Sequence, residues 1–121
     1  MDVRIIPDLL RNARDIHHKA DAFLVKRGGR WTPVSIETFD AEVRAAAMML
    51  RARGVKRGDR IVILSENRIE WVLAQMGAGL IGAITVGVYP TSPTPEVAYV
   101  AGHADIAIMV CEDQEQTDKL L

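Results

Sequence analysis

Three short apolar runs limit what this chain can fold into. They are Arg60–Leu64 (RIVIL), Ala83–Tyr89 (AITVGVY) and Ile106–Cys111 (IAIMVC). Each is rich in β-branched residues and reads as a buried strand, the second of them on both faces. Stretches with helical spacing separate them. Strands alternating with helices of about a dozen residues imply crossover connections and a parallel sheet covered on both faces. The expected class is therefore α/β: an open, mainly parallel sheet with helices on both faces.

The helices are read from periodicity and caps. Ser35 suits an N-cap, and Ile36, Phe39, Val43, Ala46, Ala47 and Leu50 follow as one apolar stripe. Gly54 then Val55 fits a left-handed cap with an apolar residue folding back. Ile69–Leu80 reads as a second helix. Thr94-Pro95-Glu96 reads as a third helix start with Thr94 as cap. Asp113 is expected to cap a last helix over 114–121. Near the N-terminus, Asp8 is expected to cap a short helix carrying Leu9, Leu10 and Ala13. Phe23–Arg27 and Arg30–Val34 flank Gly28-Gly29, a two-residue hairpin signal. Pro33 confines that hairpin to an edge or a small accessory sheet. The expected organisation is one domain over 1–121: a segment 1–22, a hairpin 23–34 and an αβαβαβα core 35–121.

Trp71–Pro95 holds no charged residue across 25 positions. Its order of helix, glycine turn, strand and three prolines argues against a membrane span. Fifteen Lys and Arg balance sixteen Asp and Glu, which argues against a basic nucleic-acid binder. A single Cys excludes an intramolecular disulfide and a Cys-based zinc site. The charged start MDVRIIPDLLRNARD has no apolar run of a secretory signal. A cytoplasmic or membrane-peripheral setting is expected.

Few residues look chemical. Gly77-x-Gly79-x-x-Gly82 has the letters of a dinucleotide fingerprint, but it ends a helix instead of opening one. It reads as a tight turn with close helix packing. His17-His18 lacks ligand partners, His103 suits a helix C-terminus, and Cys111 reads as a buried hydrophobe. Glu66, Asn67, Arg68 and Glu70 follow a strand's C-terminal end, where ligands sit in open parallel sheets. Asn67 is equally a helix cap there, and Trp71 a packing anchor. Tyr89, Thr91 and Ser92 follow the next strand; they line a ligand channel or simply close a turn. No catalytic, cofactor-binding or metal-ligating residue is assigned.

In order and spacing these pieces resemble the adenylate-forming acyl-CoA synthetases, the long-chain fatty acid group in particular. Gly54-Val55-Lys56-Arg57-Gly58-Asp59-Arg60 and Ser65-Glu66-Asn67-Arg68 carry the resemblance, with Glu70-Trp71, Ile81–Val86, Tyr89-Pro90-Thr91-Ser92, Pro95–Tyr99 and Glu112–Gln116. It departs from the family at Ser35–Phe39 and at Gly87, where a proline is usual. The resemblance implies the opening part of the family's large N-terminal domain, ending before its ATP-binding motifs. It implies ATP, Mg2+ and CoA for the full-length enzyme and none bound by this chain. It implies partnership with the remainder of the enzyme, a fatty acid substrate, and an acyl or pantetheine channel wall at Tyr89, Thr91 and Ser92. Isolated, the chain is expected to be inactive. Two other readings stand beside it. One is a stand-alone α/β module that associates, as a homo-oligomer, through exposed apolar surface. The other is a small nucleotide or flavin binder using Ser65-Glu66-Asn67.

Overall fold

The computed structural model describes residues 2–121; Met1, the first residue of the 1–22 segment, lies outside the described residues. The chain runs α1 (Ile6–Asn12), a π-helical turn (Ala13–His17), β1 (Phe23–Arg27), β2 (Arg30–Val34), α2 (Ile36–Ala52), β3 (Arg60–Leu64), α3 (Ile69–Leu80), β4 (Ile84–Val88), α4 (Thr94–Ala104), β5 (Ile108–Cys111) and α5 (Gln114–Asp118). β1 and β2 form an antiparallel pair, and β4-β3-β5 a parallel sheet in that order. The α/β class with a separate N-terminal hairpin is as the sequence implies.

β3 is the centre. Its alternating side chains feed two cores. Ile61 and Ile63 pack with Leu50 and Val55 at the end of α2 and with Ala78 of α3. Val62 and Leu64 pack on the opposite face with Val88 and Val97 of α4. The crossovers through α3 and α4 therefore cover opposite faces. A third cluster joins Leu10 and Val34 to Ile36, Phe39 and Val43 of α2, and the Phe23 ring stacks on Phe39 at 4.3 Å.

Only β3 is buried along nearly its whole length, from Ile61 to Leu64, with Arg60 half-buried at its start. The expectation that the Ala83–Tyr89 run is buried on both faces fails. β4 is an edge strand, Ile84 is 53% exposed, and β5 is half-buried along its length. A strand paired on one side only keeps part of its side chains at the rim, whatever its composition. Three cap assignments also change. Asp8 sits inside α1, where its carboxylate accepts from the N–H groups of Arg4 (3.0 Å) and Ile5 (3.1 Å). Those bonds hold its carboxyl below the usual range. α4 begins at Thr94 with Pro93, not Thr94, as the extended residue before it. Arg68, not Asn67, precedes α3, without a side-chain cap. The Ser35 and Asp113 caps form as expected, accepting from Thr38 N–H (3.1 Å) and Gln116 N–H (3.0 Å).

The glycines do structural work. Gly28 and Gly29 take φ of +54° and +78°, the hairpin geometry expected. A methyl group on Gly77 would meet Ala46 Cβ and Ala47 N of α2 at 3.0 Å, so α2 and α3 approach closely there. Gly82, at φ +74°, makes the turn into β4. The fingerprint-like triplet is thus helix packing and a turn.

Candidate functional site

The Gly54–Arg60 stretch, the most distinctive part of the resemblance, lies away from the strand C-termini. Gly54 and Gly58 take φ of +89° and +85°, and Asp59 Oδ2 accepts from the Lys56 N–H at 2.8 Å. Arg60 then reaches across the sheet. Its Nε donates to the Ala104 carbonyl and its Nη2 to the Asp105 carbonyl, both at 2.8 Å. A cation thereby satisfies carbonyls at the end of α4, where the helix dipole favours it. Asp105 makes the reversal in a left-handed conformation, φ +50°. The motif is scaffold.

The crevice forms at the other end of the sheet. α3 leaves β3 towards β4, while β5 lies on β3's other side, so the loops after β3 and β5 diverge. Open parallel sheets bind ligands at such points. Glu112, just after β5, fills the gap. Its backbone N–H donates to the Leu64 carbonyl (3.1 Å). Its carboxylate accepts from the Glu66 N–H (2.8 Å) and from Arg68 Nη1 (3.0 Å). Arg68 Nε donates to Glu70 at 2.9 Å. Glu70, then Glu112, hold the Arg68 guanidinium more firmly charged than usual. Glu70 is itself held below the usual range, first by its own backbone N–H and then by Arg68, against some desolvation.

The Glu66 N–H and the Arg68 guanidinium are thus engaged by the chain's own carboxylates. An incoming phosphate would meet the Glu66 and Glu112 carboxylates here, which is unfavourable to the small nucleotide-binder reading at this loop. Ser65 does not change this, since its hydroxyl donates to the Glu66 carbonyl at 2.9 Å.

A groove of about 410 Å3 opens beside the crevice between Ser65, Glu66, Asn67, Trp71 and Gly87–Pro90. The Gly87 departure has a physical reason here. A Cβ at that position would stand 3.2 Å from Trp71 Cζ2, so glycine leaves room for the indole. Of the three channel candidates, Tyr89 lines this groove and is 79% exposed. Thr91 is exposed in the following turn. Ser92 is buried, with its hydroxyl 3.3 Å from Glu96 Oε1. Lys119, which carried no signal in sequence, fixes this turn: its Nζ donates to the carbonyls of Pro90 (2.6 Å) and Ser92 (3.0 Å).

The remaining candidates stay apart. His18 ends the π-helical turn at φ +47°, its Nδ1 3.1 Å from Glu37 Oε1. His103 stacks on Tyr99. Cys111 is half-buried, and burial pushes its thiol up, away from reactivity.

Residues 11–121 match the AMP-binding enzyme family. The chain belongs to that family. It is 30% identical over 116 residues to the long-chain-fatty-acid–CoA ligase ACSBG2 of Rattus norvegicus, a match covering 96% of this chain and 17% of the relative. It is 36% identical over 84 residues to the long-chain-fatty-acid–CoA ligase FadD15 of Mycobacterium bovis, covering 69% and 14%. The crystal structure of the anthranilate CoA ligase AuaEII with anthranoyl-AMP superposes with a TM-score of 0.82 at 20% identity, covering 97% of this chain and 22% of that one. The chain thus spans about a sixth of these curated relatives, and its fold is one found within adenylate-forming enzymes. The resemblance to acyl-CoA synthetases read from sequence agrees with these relatives. Among the described residues no helix is long and apolar enough to cross a membrane.

Proposed function

We propose that this chain is scaffold for a long-chain fatty acid–CoA ligase. It would be the opening part of the N-terminal domain, with 1–121 acting as one unit in the cytoplasm or at a membrane surface. The observation that carries this is the similarity, over 96% of this chain and 17% of the relative, to a long-chain-fatty-acid–CoA ligase. In the reaction proposed for the whole enzyme, a fatty carboxylate attacks the α-phosphorus of Mg-ATP and pyrophosphate leaves. The thiol of coenzyme A then attacks the acyl carbonyl and AMP leaves, which is favourable because AMP is a far better leaving group than a carboxylate oxygen. This chain's residues take no part in either bond change. Arg60 locks α4 to the sheet, Glu112 and Arg68 close the β3–β5 gap, and Lys119 holds the Tyr89–Ser92 turn as a wall of the acyl or pantetheine channel. ATP, Mg2+ and CoA would be held by the rest of the enzyme.

The test is a chimera in which this chain replaces the matching segment of FadD15. Long-chain acyl-CoA formation by the chimera supports the reading. A folded chimera that binds ATP yet ligates no fatty acid overturns it. The 121 residues alone are expected to release no fatty-acid-dependent pyrophosphate.

One observation favours a second reading, a module that works by association. Ile5, Ile6 and Leu80, each between 41% and 56% exposed, border a groove of about 730 Å3 at the turn from α3 into β4, with Arg4 and Arg57 also on its wall. As part of a ligase the chain would have this surface covered by the remainder of the enzyme. A monodisperse monomer in light scattering at high concentration counts against self-association.

A further inference from the structure

Charge sorts along the parallel sheet. Its strands all start at one end, and the crossover helices between them finish at that end. Arg51, Arg53, Lys56 and Arg57, from the last turn of α2 to the turn before β3, are exposed there. Glu66, Asp113, Glu115 and Asp118, after β3 and β5, are exposed at the opposite end. None of these side chains has an ion-pair partner within 4.0 Å among the described residues. Charges of the other sign are occupied. At the cationic end Asp59 accepts from the Lys56 N–H and Asp105 from Arg60; at the acidic end Arg68 donates to Glu112 and Lys119 to the Pro90 carbonyl. Helix dipoles favour this sorting, but Lys56 and Arg57 lie beyond the last turn of α2.

The two ends of β4 differ in shape as well. At its start lies the groove of Ile5, Ile6, Leu80 and Ile81, with Arg57 on the wall. Arg4, on the same wall, is paired with Asp2, which leaves Arg57 as the free cation. Arg57 is held in place: its Cγ would stand 2.9 Å from a Cβ on Gly82, and the Gly58 N–H donates to the Gly82 carbonyl at 2.9 Å. Just past the other end of β4, Tyr89 is 79% exposed and shares a rim with Glu66. A concave apolar patch beside a guanidinium complements a projecting aromatic ring beside a carboxylate. A shift along the direction of β4 brings the one in a first copy onto the other in a second.

We propose that the cationic end of this chain docks the acidic end of a second copy, with Tyr89 of one copy entering the Ile5–Leu80 groove of the next and Glu66 facing Arg57. Aromatic anchors in apolar pockets carry most of the energy of such contacts, and charge complementarity fixes partner and orientation. The contact is heterologous. Each added copy leaves one groove and one Tyr89 unused, so it grows into open chains instead of closing as a two-fold dimer. The proposal rests on the association reading and names its partner and its geometry.

Light scattering and sedimentation velocity of the 121-residue chain test it, over a range of protein concentration and at two salt levels. At about 0.01 M salt exposed charges act over about 30 Å, and at about 0.15 M over about 8 Å. Mass should rise with concentration without stopping at a dimer, and association should weaken severalfold at the higher salt. Arg53→Glu/Arg57→Glu and Glu66→Lys/Asp118→Lys should each weaken it about tenfold or more, because attraction becomes repulsion. Mixing the two variants should restore it, since each then offers the ends that the other needs. Tyr89→Ala should weaken it about fivefold while keeping its salt dependence. These side chains are exposed, so circular dichroism should show every variant folded. A discrete dimer, or a mixture of the two reversed variants that stays monomeric, would overturn the proposal. Association that ignores salt and both reversals would overturn it while the association reading stands; a monomer at every concentration and at low salt would remove both. Retardation of duplex DNA that needs Arg53 and Arg57, without self-association, would give the cationic end to another polyanion and overturn the proposal as well.

Discussion

β3 and β4 are built from the same kind of residue and meet different fates. Ile61 to Leu64 are wholly buried, while Ile84, paired across the ladder with Arg60, is 53% exposed. Composition makes both runs strands. Position in the sheet decides which of them is core. The sharpest way to break this contrast is one truncation in each strand. Ile63→Ala should cost about 3 kcal/mol, because it removes buried methyl groups and leaves a cavity between α2, α3 and the sheet. Ile84→Ala should cost less than about 1 kcal/mol. Urea unfolding measures both, and similar costs would mean the β4 edge is covered in solution.

A second contrast separates the two ends of the sheet. Arg60 binds backbone carbonyls of α4 at one end, and Arg68 binds carboxylates at the other. Arg60→Ala leaves the partly buried Ala104 carbonyl and the exposed Asp105 carbonyl without this donor and should cost about 1.5 kcal/mol. Arg68 is 44% exposed, and its ion pairs are screened, so Arg68→Ala should cost under about 1 kcal/mol. If Arg68→Ala proves the costlier, the crevice is a stabilising element and not an open rim.

The glycines sharpen the same comparison at smaller scale. Gly77→Ala gains about 1 kcal/mol in helix propensity but forces a methyl against the α2 backbone, an overpacking cost of about 2 kcal/mol. The net loss should be about 1 kcal/mol. Gly79→Ala meets only the Pro7 ring, at 3.0 Å, and α1 can shift. It should leave stability unchanged or raise it. Thermal unfolding of the pair measures how rigidly α2 and α3 are fixed compared with α1.

What sequence shows and what it hides follow this division between local and distant contacts. Period, turn glycines and the caps at Ser35 and Asp113 are local, and they were legible. The parallel sheet follows from alternation. Which strand is central does not, because RIVIL, AITVGVY and IAIMVC are all mainly apolar, and the one that carries a charge, at Arg60, is the central one. The candidate loop at Glu66–Glu70 was visible from its place after a strand. Its partner Glu112 lies 44 residues from Arg68, and Lys119 lies 29 from Pro90. Asp40, buried with Arg14 at 3.1 Å and Arg44 at 2.9 Å, was likewise hidden. Such pairs leave no period in the chain.

Asp8 is the smallest and most local case. Sequence alone places it before α1, but it lies in the helix's first turn, where its carboxylate reaches back to two backbone N–H groups. Those bonds stabilise the ionised form, so its folded-state pKa is lowered. The sign follows from linkage. Stability from a depressed carboxylate is present above the ordinary carboxylate range and lost as pH falls through the lowered value. Amide hydrogen exchange at Arg4 and Ile5 should therefore be slow near neutral pH and lose protection on acidification. Asp8→Asn removes the charge, so exchange at both amides should be faster than in the native chain near neutral pH, with the difference closing in acid. An equal difference at every pH would assign the effect to side-chain shape instead of charge, and α1 would then owe its place to Leu10 and Pro7 alone.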